Sequence, residues 1–192
     1  MITFRVGGSI LPSEFAVPEA LVRASSQFVE KAMKGPWKES QERAISLPSI
    51  DHETFGVYFQ WLVTGKLHSK KRRMPSGSIF IAVSSPFVDE VMLLAKLSSL
   101  GHYLLDTNFR DAVSDGIIQC SIEFPLQGSF TWPHVYSQLP ASSPTKQLIM
   151  DIVAWTSDRC TLRTLKTSPF GRSRMCDTDF LLDLVGAWHQ GS

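Results

Sequence analysis

Apolar residues follow two spacings along this chain, and the spacing typical of strands is confined to short segments. In Ile2–Val6, apolar and polar side chains alternate, which is the pattern of a strand buried on one face. Residues 14–17 and 44–47 have the same character, and Pro18 marks the end of the former because it has no backbone donor. Together these segments predict a small mixed sheet flanked by helices, an α+β fold.

The helical spacing is clearest between Asp51 and Gly65. Asp51 is a suitable N-cap, and five apolar side chains then recur at i, i+3, i+4, i+7 and i+8. Burying five such side chains contributes roughly 1.5–3 kcal/mol each before entropy is subtracted. We therefore expect a central core helix whose buried stripe is Phe55, Tyr58, Phe59, Leu62 and Val63.

An earlier helix is predicted from its end signals. Ser25 is the expected N-cap, and Phe28, Val29, Ala32 and Met33 share one face. Gly35 is expected to end the helix in a left-handed conformation before Pro36, which cannot continue it.

Helical patterning returns after residues 66–86, a predicted loop that could contain a strand at Ile79–Val83. Phe87–Leu105 is apolar over a wide arc, which indicates burial on most faces. Asp106 or Thr107 is expected to cap the next helix, whose buried face carries Cys120. Further helices are predicted around Trp132–Leu139, from Ser143-Pro144 onward and at Thr178–His189. In the second of these we expect an inward face of Leu148, Ile149, Ile152, Val153 and Trp155.

Composition places the chain among ordinary globular proteins. It has 192 residues, of which 43% are hydrophobic and 19% charged, with a net charge of +1. No charge excess draws the whole molecule to nucleic acid, and no apolar run approaches the roughly 20 residues that span a bilayer. The three cysteines form no C-x-x-C pair and the N-terminus is not a secretory signal, so we expect a cytoplasmic or nuclear protein.

Motifs for catalysis are missing from the sequence. Gly65-Lys66 lacks the remainder of a phosphate-binding loop, and there is no G-x-S-x-G. His52-Glu53 has no second histidine at metal-binding spacing. We therefore expect no enzyme, no metal and no cofactor, and the question becomes which partner the chain binds.

The order of these elements, together with several local motifs, resembles the BTB/POZ domain in the stand-alone version found in filamentous fungi. The similar segments are LVRASSQF (21–28), PWKES followed by ISLP, TFGVYFQWLVTGKL (54–67), the paired helices of LLAKLSSLGHYLLDTNFRDAVSDGIIQ and the later SSPTKQLIMDIVAWT. The resemblance implies a BTB/POZ fold over residues 1–122, with the long loop 66–86 inside it, and a helical C-terminal extension over 123–192. Pro18 stands where that family usually has a histidine.

Protein–protein interaction is the function that the resemblance implies. Trp37-Lys38-Glu39 matches the hydrophobic-x-Glu pattern by which some BTB domains engage a cullin scaffold, so the chain could be a substrate adaptor of a cullin-RING ubiquitin ligase. An alternative is that Trp37 folds back onto the core and Glu39 is solvated. The alternative function is a self-associating scaffold, forming a homodimer, or a transcription-associated module that binds co-regulators.

A run of four basic residues lies inside the predicted loop. Lys70, Lys71, Arg72 and Arg73 could form a nuclear-import signal or a phosphate-contacting patch. A solvated loop is the favoured interpretation, because a charge run of this kind usually serves solubility. No interleaved aromatic residues indicate base stacking, so nucleic-acid binding is not expected.

Overall fold

The computed structural model describes residues 1–8, 12–69, 86–123, 132, 135–137, 139, 143–156, 180, 182–184 and 186. The predicted strand at Ile79–Val83 and the basic run 70–73 lie outside these residues. Contacts within the chain divide it into two units. The first comprises Met1–Lys70 and Lys96–Val113, and the second Lys71–Ala95 and Ser114–Ser192. The division predicted at residue 122 stays a prediction.

A three-stranded mixed sheet begins the first unit. Its strands are β1 (Ile2–Val6), β2 (Ser13–Val17) and β3 (Ala44–Leu47), in the order β2-β1-β3. β1 is antiparallel to β2 and parallel to β3. The parallel pairing requires a crossover between β2 and β3, and helices supply it. The prediction of an α+β chain with a small mixed sheet is confirmed.

Seven helices whose bounds lie among the described residues accompany the sheet. Three short ones form the crossover between β2 and β3, and α4 has the Asp51 N-cap and the left-handed Gly65 C-cap expected from the sequence. The bounds are α1 (Glu19–Ser25), α2 (Gln27–Lys34), α3 (Lys38–Glu42), α4 (His52–Thr64), α5 (Pro86–Tyr103), α6 (Thr107–Glu123) and α7 (Pro144–Thr156).

Aromatic side chains fill the core of the first unit. Phe55 of α4 contacts Phe4 of β1, with ring centres 4.9 Å apart, and Tyr58 packs edge-on against Phe109 at 4.8 Å. Both α4 residues are fully buried, as the periodic stripe predicts. Val63 is 56% exposed, so its predicted burial is wrong. The final turn of α4, up to Thr64 and Gly65, is solvent-exposed.

The junction between α1 and α2 is organised by two consecutive serines. Ser26 is the N-cap of α2, because its Oγ accepts a hydrogen bond from the Val29 amide at 3.2 Å. Its hydroxyl also donates to the carbonyl of Leu104 at 2.6 Å. The prediction of Ser25 as the cap is wrong: Ser25 ends α1, and its hydroxyl donates to Asp106 Oδ2 at 2.5 Å.

Asp106 is a fully buried carboxylate that joins three helices of the first unit. It caps α6 by accepting from the Phe109 amide at 3.0 Å, and it also accepts from the hydroxyls of Ser25 and, at 3.0 Å, Tyr58. Burial, followed by the adjacent carboxylate, raises the pKa of Tyr58, so the phenol remains a donor. The turn before Asp106 closes α5 with Leu105 in a left-handed conformation at φ 52°.

The second unit contains the beginning of α5, the end of α6, α7 and short helical stretches at 135–137 and 182–184. Trp132 and Leu139 are buried, consistent with the predicted short helix around them. The helix from Pro144 is confirmed, and Ile149 and Val153 face inward. Trp155 is 89% exposed, so its predicted burial is wrong. It lies two residues beyond Val153, about 200° around a helix, and therefore on the opposite face.

Replacing Asp106 with alanine should destabilise the protein by about 3–4 kcal/mol. The change leaves the Ser25 and Tyr58 hydroxyls and the Phe109 amide without their acceptor. Urea unfolding followed by circular dichroism measures the effect. Asp111→Ala, which removes an exposed carboxylate from the same helix, is the control and should change stability by less than about 0.5 kcal/mol. Equal effects of the two variants would show that the buried network contributes little.

Candidate functional site

The predicted partner-binding residues lie in the turn that leads from α2 into α3. Trp37 is the N-cap of α3, and its carbonyl accepts from the amides of Ser40 at 3.1 Å and Gln41 at 3.2 Å. Lys38 and Glu39 are the first two residues of that helix. The structure therefore brings the three predicted residues together in one turn, called here the Trp37–Glu39 turn.

The Trp37 indole is 61% exposed, so it does not fold back onto the core as the alternative interpretation had it. Its ring lies directly against the backbone of Gly35. An exposed indole held against backbone presents an apolar surface without the freedom of a side chain in open solvent. An aromatic side chain of this kind is a common anchor in protein interfaces.

Glycine is needed at position 35 to leave space for the Trp37 ring, and not for the left-handed backbone conformation that the sequence predicted. Its φ is −86° and its ψ is 170°, an extended conformation that any residue adopts, so the predicted left-handed cap is wrong. A Cβ atom at this position would overlap Nε1 and Cδ1 of the Trp37 ring. Only glycine lets the indole approach this closely. The short separation of Gly35 and Trp37 is the one sequence signal that could have indicated it.

Hydrogen bonds fix α3 relative to the elements on either side of it. The Ser40 hydroxyl donates to the carbonyl of Met33, in the last turn of α2, at 3.2 Å. At the other end Arg43 adopts a left-handed conformation at φ 50°, and its amide donates to the Glu39 carbonyl. The Arg43 guanidinium donates to Glu19 of α1. These contacts, which sequence reasoning missed, hold the Trp37–Glu39 turn at both ends.

The two charged residues of the turn differ in their partners. Lys38 is 79% exposed and forms a loose pair with Glu42, with 3.6 Å between Nζ and Oε1. Glu39 is partly exposed, and no hydrogen bond or ion pair engages its carboxylate within the part of the chain that the structure describes. An unengaged carboxylate two residues from an exposed indole can accept hydrogen bonds from a docking partner.

A chain of ion pairs links α1 and α2. Arg23 donates to Glu30 at 2.6 Å and to Glu19 at 3.0 Å, and Lys34 lies 2.5 Å from Glu30. The Arg23 guanidinium, followed by Lys34, lowers the pKa of Glu30 to about 2. Arg23 likewise lowers the pKa of Glu19, and Glu30 and then Glu19 raise the pKa of Arg23. All three groups are therefore charged at physiological pH.

Within the part of the chain that the structure describes, the basic run and the cysteines provide no exposed site. The basic residues Lys70, Lys71, Arg72 and Arg73 lie outside the described residues, as do Cys160 and Cys176. Cys120 is buried on α6, as predicted. Among the described residues no three histidine, cysteine or acidic side chains are grouped closely enough to hold a metal ion. In the same residues no helix has the length and apolar character needed to cross a bilayer.

No protein-family model matches the chain, and no curated protein matches it.

Gly35→Ala should displace the Trp37 indole, because the new Cβ would occupy the space of the ring. The indole N–H resonance of Trp37, assigned by its loss in Trp37→Phe, should shift in a ¹H–¹⁵N spectrum. Gly56→Ala on α4 is the matched control, since a Cβ there meets no atom within 4 Å. It should leave that resonance in place and raise the free energy of unfolding by about 0.5–1 kcal/mol. An unshifted resonance in Gly35→Ala would contradict the assigned contact.

Proposed function

We propose that this chain is a protein-interaction module of the BTB/POZ type that docks a cullin scaffold through the Trp37–Glu39 turn. The observation that carries the proposal is the exposed Trp37 indole on a turn that hydrogen bonds hold at both ends. The role of the module is that of a substrate adaptor of a cullin-RING ubiquitin ligase.

The architecture of the first unit supports the proposed class. The chain begins with two paired strands, which a helical crossover follows. After the crossover come a third strand, parallel to the first, and a long aromatic-rich helix. This is the order of elements on which the resemblance to the BTB/POZ domain rests. The buried stripe of α4 and the capped start of α6 belong to the same resembling segments.

The physical chemistry of the turn suits a docking role. Binding is weakened by the cost of ordering mobile side chains, and a preformed turn avoids much of that cost. The indole can enter an apolar pocket of the partner while the Glu39 carboxylate fixes the orientation by accepting hydrogen bonds. An apolar anchor and an orienting carboxylate are the two groups that the hydrophobic-x-Glu pattern of the sequence provides.

An adaptor also needs a surface for its client. In the second unit Trp155 of α7 is 89% exposed, and Ile122 of α6 and Leu182 are each 65% exposed. A partner that covered these side chains would remove their apolar surface from water, which favours binding. We assign the client to these C-terminal helices, since the first unit carries the cullin-docking turn.

Binding of purified protein to an immobilised cullin N-terminal domain tests the proposal. Trp37→Ala should weaken binding by at least about 2 kcal/mol, and Glu39→Ala by about 1 kcal/mol. Glu42→Ala removes the same charge from the same helix outside the pattern and should bind almost as the wild type does. Failure of the wild type to bind, or binding that both Trp37→Ala and Glu39→Ala leave unchanged, would refute the cullin role.

Self-association is the second candidate function, and a separate group of exposed apolar residues favours it. Leu21 of α1 is 42% exposed, and Tyr103 and Leu105 at the end of α5 are 52% and 41% exposed. The Leu105 carbonyl accepts from the Gln27 amide at 3.5 Å, which places Leu105 beside the α1–α2 junction. A second copy of the chain could bury these side chains.

Sedimentation over a range of concentrations tests self-association. A dimer should form, and Leu21→Asp should weaken it by at least about tenfold because the new charge would have to be desolvated. Val63→Asp changes an equally accessible apolar residue on α4 and should leave the dimer intact. A wild-type chain that sediments as a monomer at every concentration would exclude this function.

A further inference from the structure

A cleft in the second unit lies at the beginning of α7 and is separate from the residues considered so far. Its volume is about 220 Å³, and its walls are mainly polar. Met150, which is buried, contributes an apolar surface. The polar lining residues that matter here are Tyr136, Ser143, Lys146, Gln147 and Asp183.

Tyr136 positions a positive and a negative group around the cleft. The ammonium of Lys146 lies over its ring, 4.2 Å from the ring centre, and the ring quadrupole attracts it. The Tyr136 hydroxyl donates to the carboxylate of Asp183. Phe180 packs edge-on against the same ring, with 5.3 Å between ring centres, which fixes its orientation. One buried phenol thus determines where both charges lie.

The two charges do not neutralise each other. The carboxylate lies beyond the phenol oxygen and the ammonium above the ring face, so the two charged groups contact different parts of Tyr136. Within the described residues, no ion pair engages either Lys146 or Asp183. A ligand that carries both charges could reach both groups with hydrogen bonds of about 2.8 Å.

We propose that this cleft binds a small zwitterion, a free α-amino acid. The ligand carboxylate pairs with the Lys146 ammonium and accepts from the Ser143 hydroxyl or the Gln147 amide. Its ammonium pairs with Asp183, and its side chain lies along Met150. The cleft volume is below the roughly 300–1,000 Å³ of sites for drug-sized molecules, so a ligand of amino-acid size fits it. A ligand with only one charge would form a charge-assisted hydrogen bond with only one of the two groups.

Ligand-observed NMR titration of the full chain tests the proposal. The probes are glycine, L-alanine, L-leucine and L-phenylalanine, followed by the N-acetyl and the amide derivatives of whichever binds most tightly. The zwitterion should bind, and blocking either its ammonium or its carboxylate should weaken binding by at least about tenfold.

Variants connect the binding to the cleft. Lys146→Met and Asp183→Asn should each weaken binding by about tenfold or more. Asp115→Asn, which removes an exposed carboxylate from α6 in the same unit, should leave binding unchanged.

Absence of binding for all four amino acids overturns the proposal, as does binding that survives both cleft variants. Preference for a blocked derivative also overturns it, because a peptide end would then be the ligand. Neither result bears on cullin docking, which rests on residues of the first unit.

Discussion

The buried carboxylate of Asp106 is the interaction on which the first unit depends. A charge removed from water is tolerated only where hydrogen bonds compensate its lost solvation. Here Ser25, Tyr58 and the Phe109 amide supply three donors from three different segments. Because each donor requires its segment at hydrogen-bond distance, one carboxylate ties α1, α4 and α6 to a common point.

The same part of the core also anchors the helix that leads to the Trp37–Glu39 turn. Ser26, beside Ser25, holds the beginning of α2 through its bonds to Val29 and Leu104. The far end of α2 then leads through Gly35 to the exposed Trp37. A helix of eight residues therefore connects the buried network to the Trp37–Glu39 turn. Because the beginning of α2 is anchored in the core of this unit, the turn that follows α2 is held in place. This lowers the cost of ordering the turn on binding.

The two proposed binding features use aromatic side chains in opposite ways. Trp37 is exposed and offers its own surface to a partner, whereas Tyr136 is buried and directs two charges toward a cleft. The first arrangement gains free energy by burying apolar area in an interface. The second relies on charge-assisted hydrogen bonds to a small ligand.

Local signals in the sequence determined the elements of this protein. Alternation defined β1, the apolar stripe of α4 predicted the burial of Phe55 and Tyr58, and Asp51 and Gly65 marked the ends of that helix, because these features depend on near neighbours. Only the tertiary structure decided which serine caps α2, that Trp155 faces solvent and that Gly35 is needed for space beside an indole. It also brought the cleft residues together across about 50 positions of sequence, from Tyr136 to Asp183. Such outcomes depend on contacts between distant segments, which spacing along a chain does not contain.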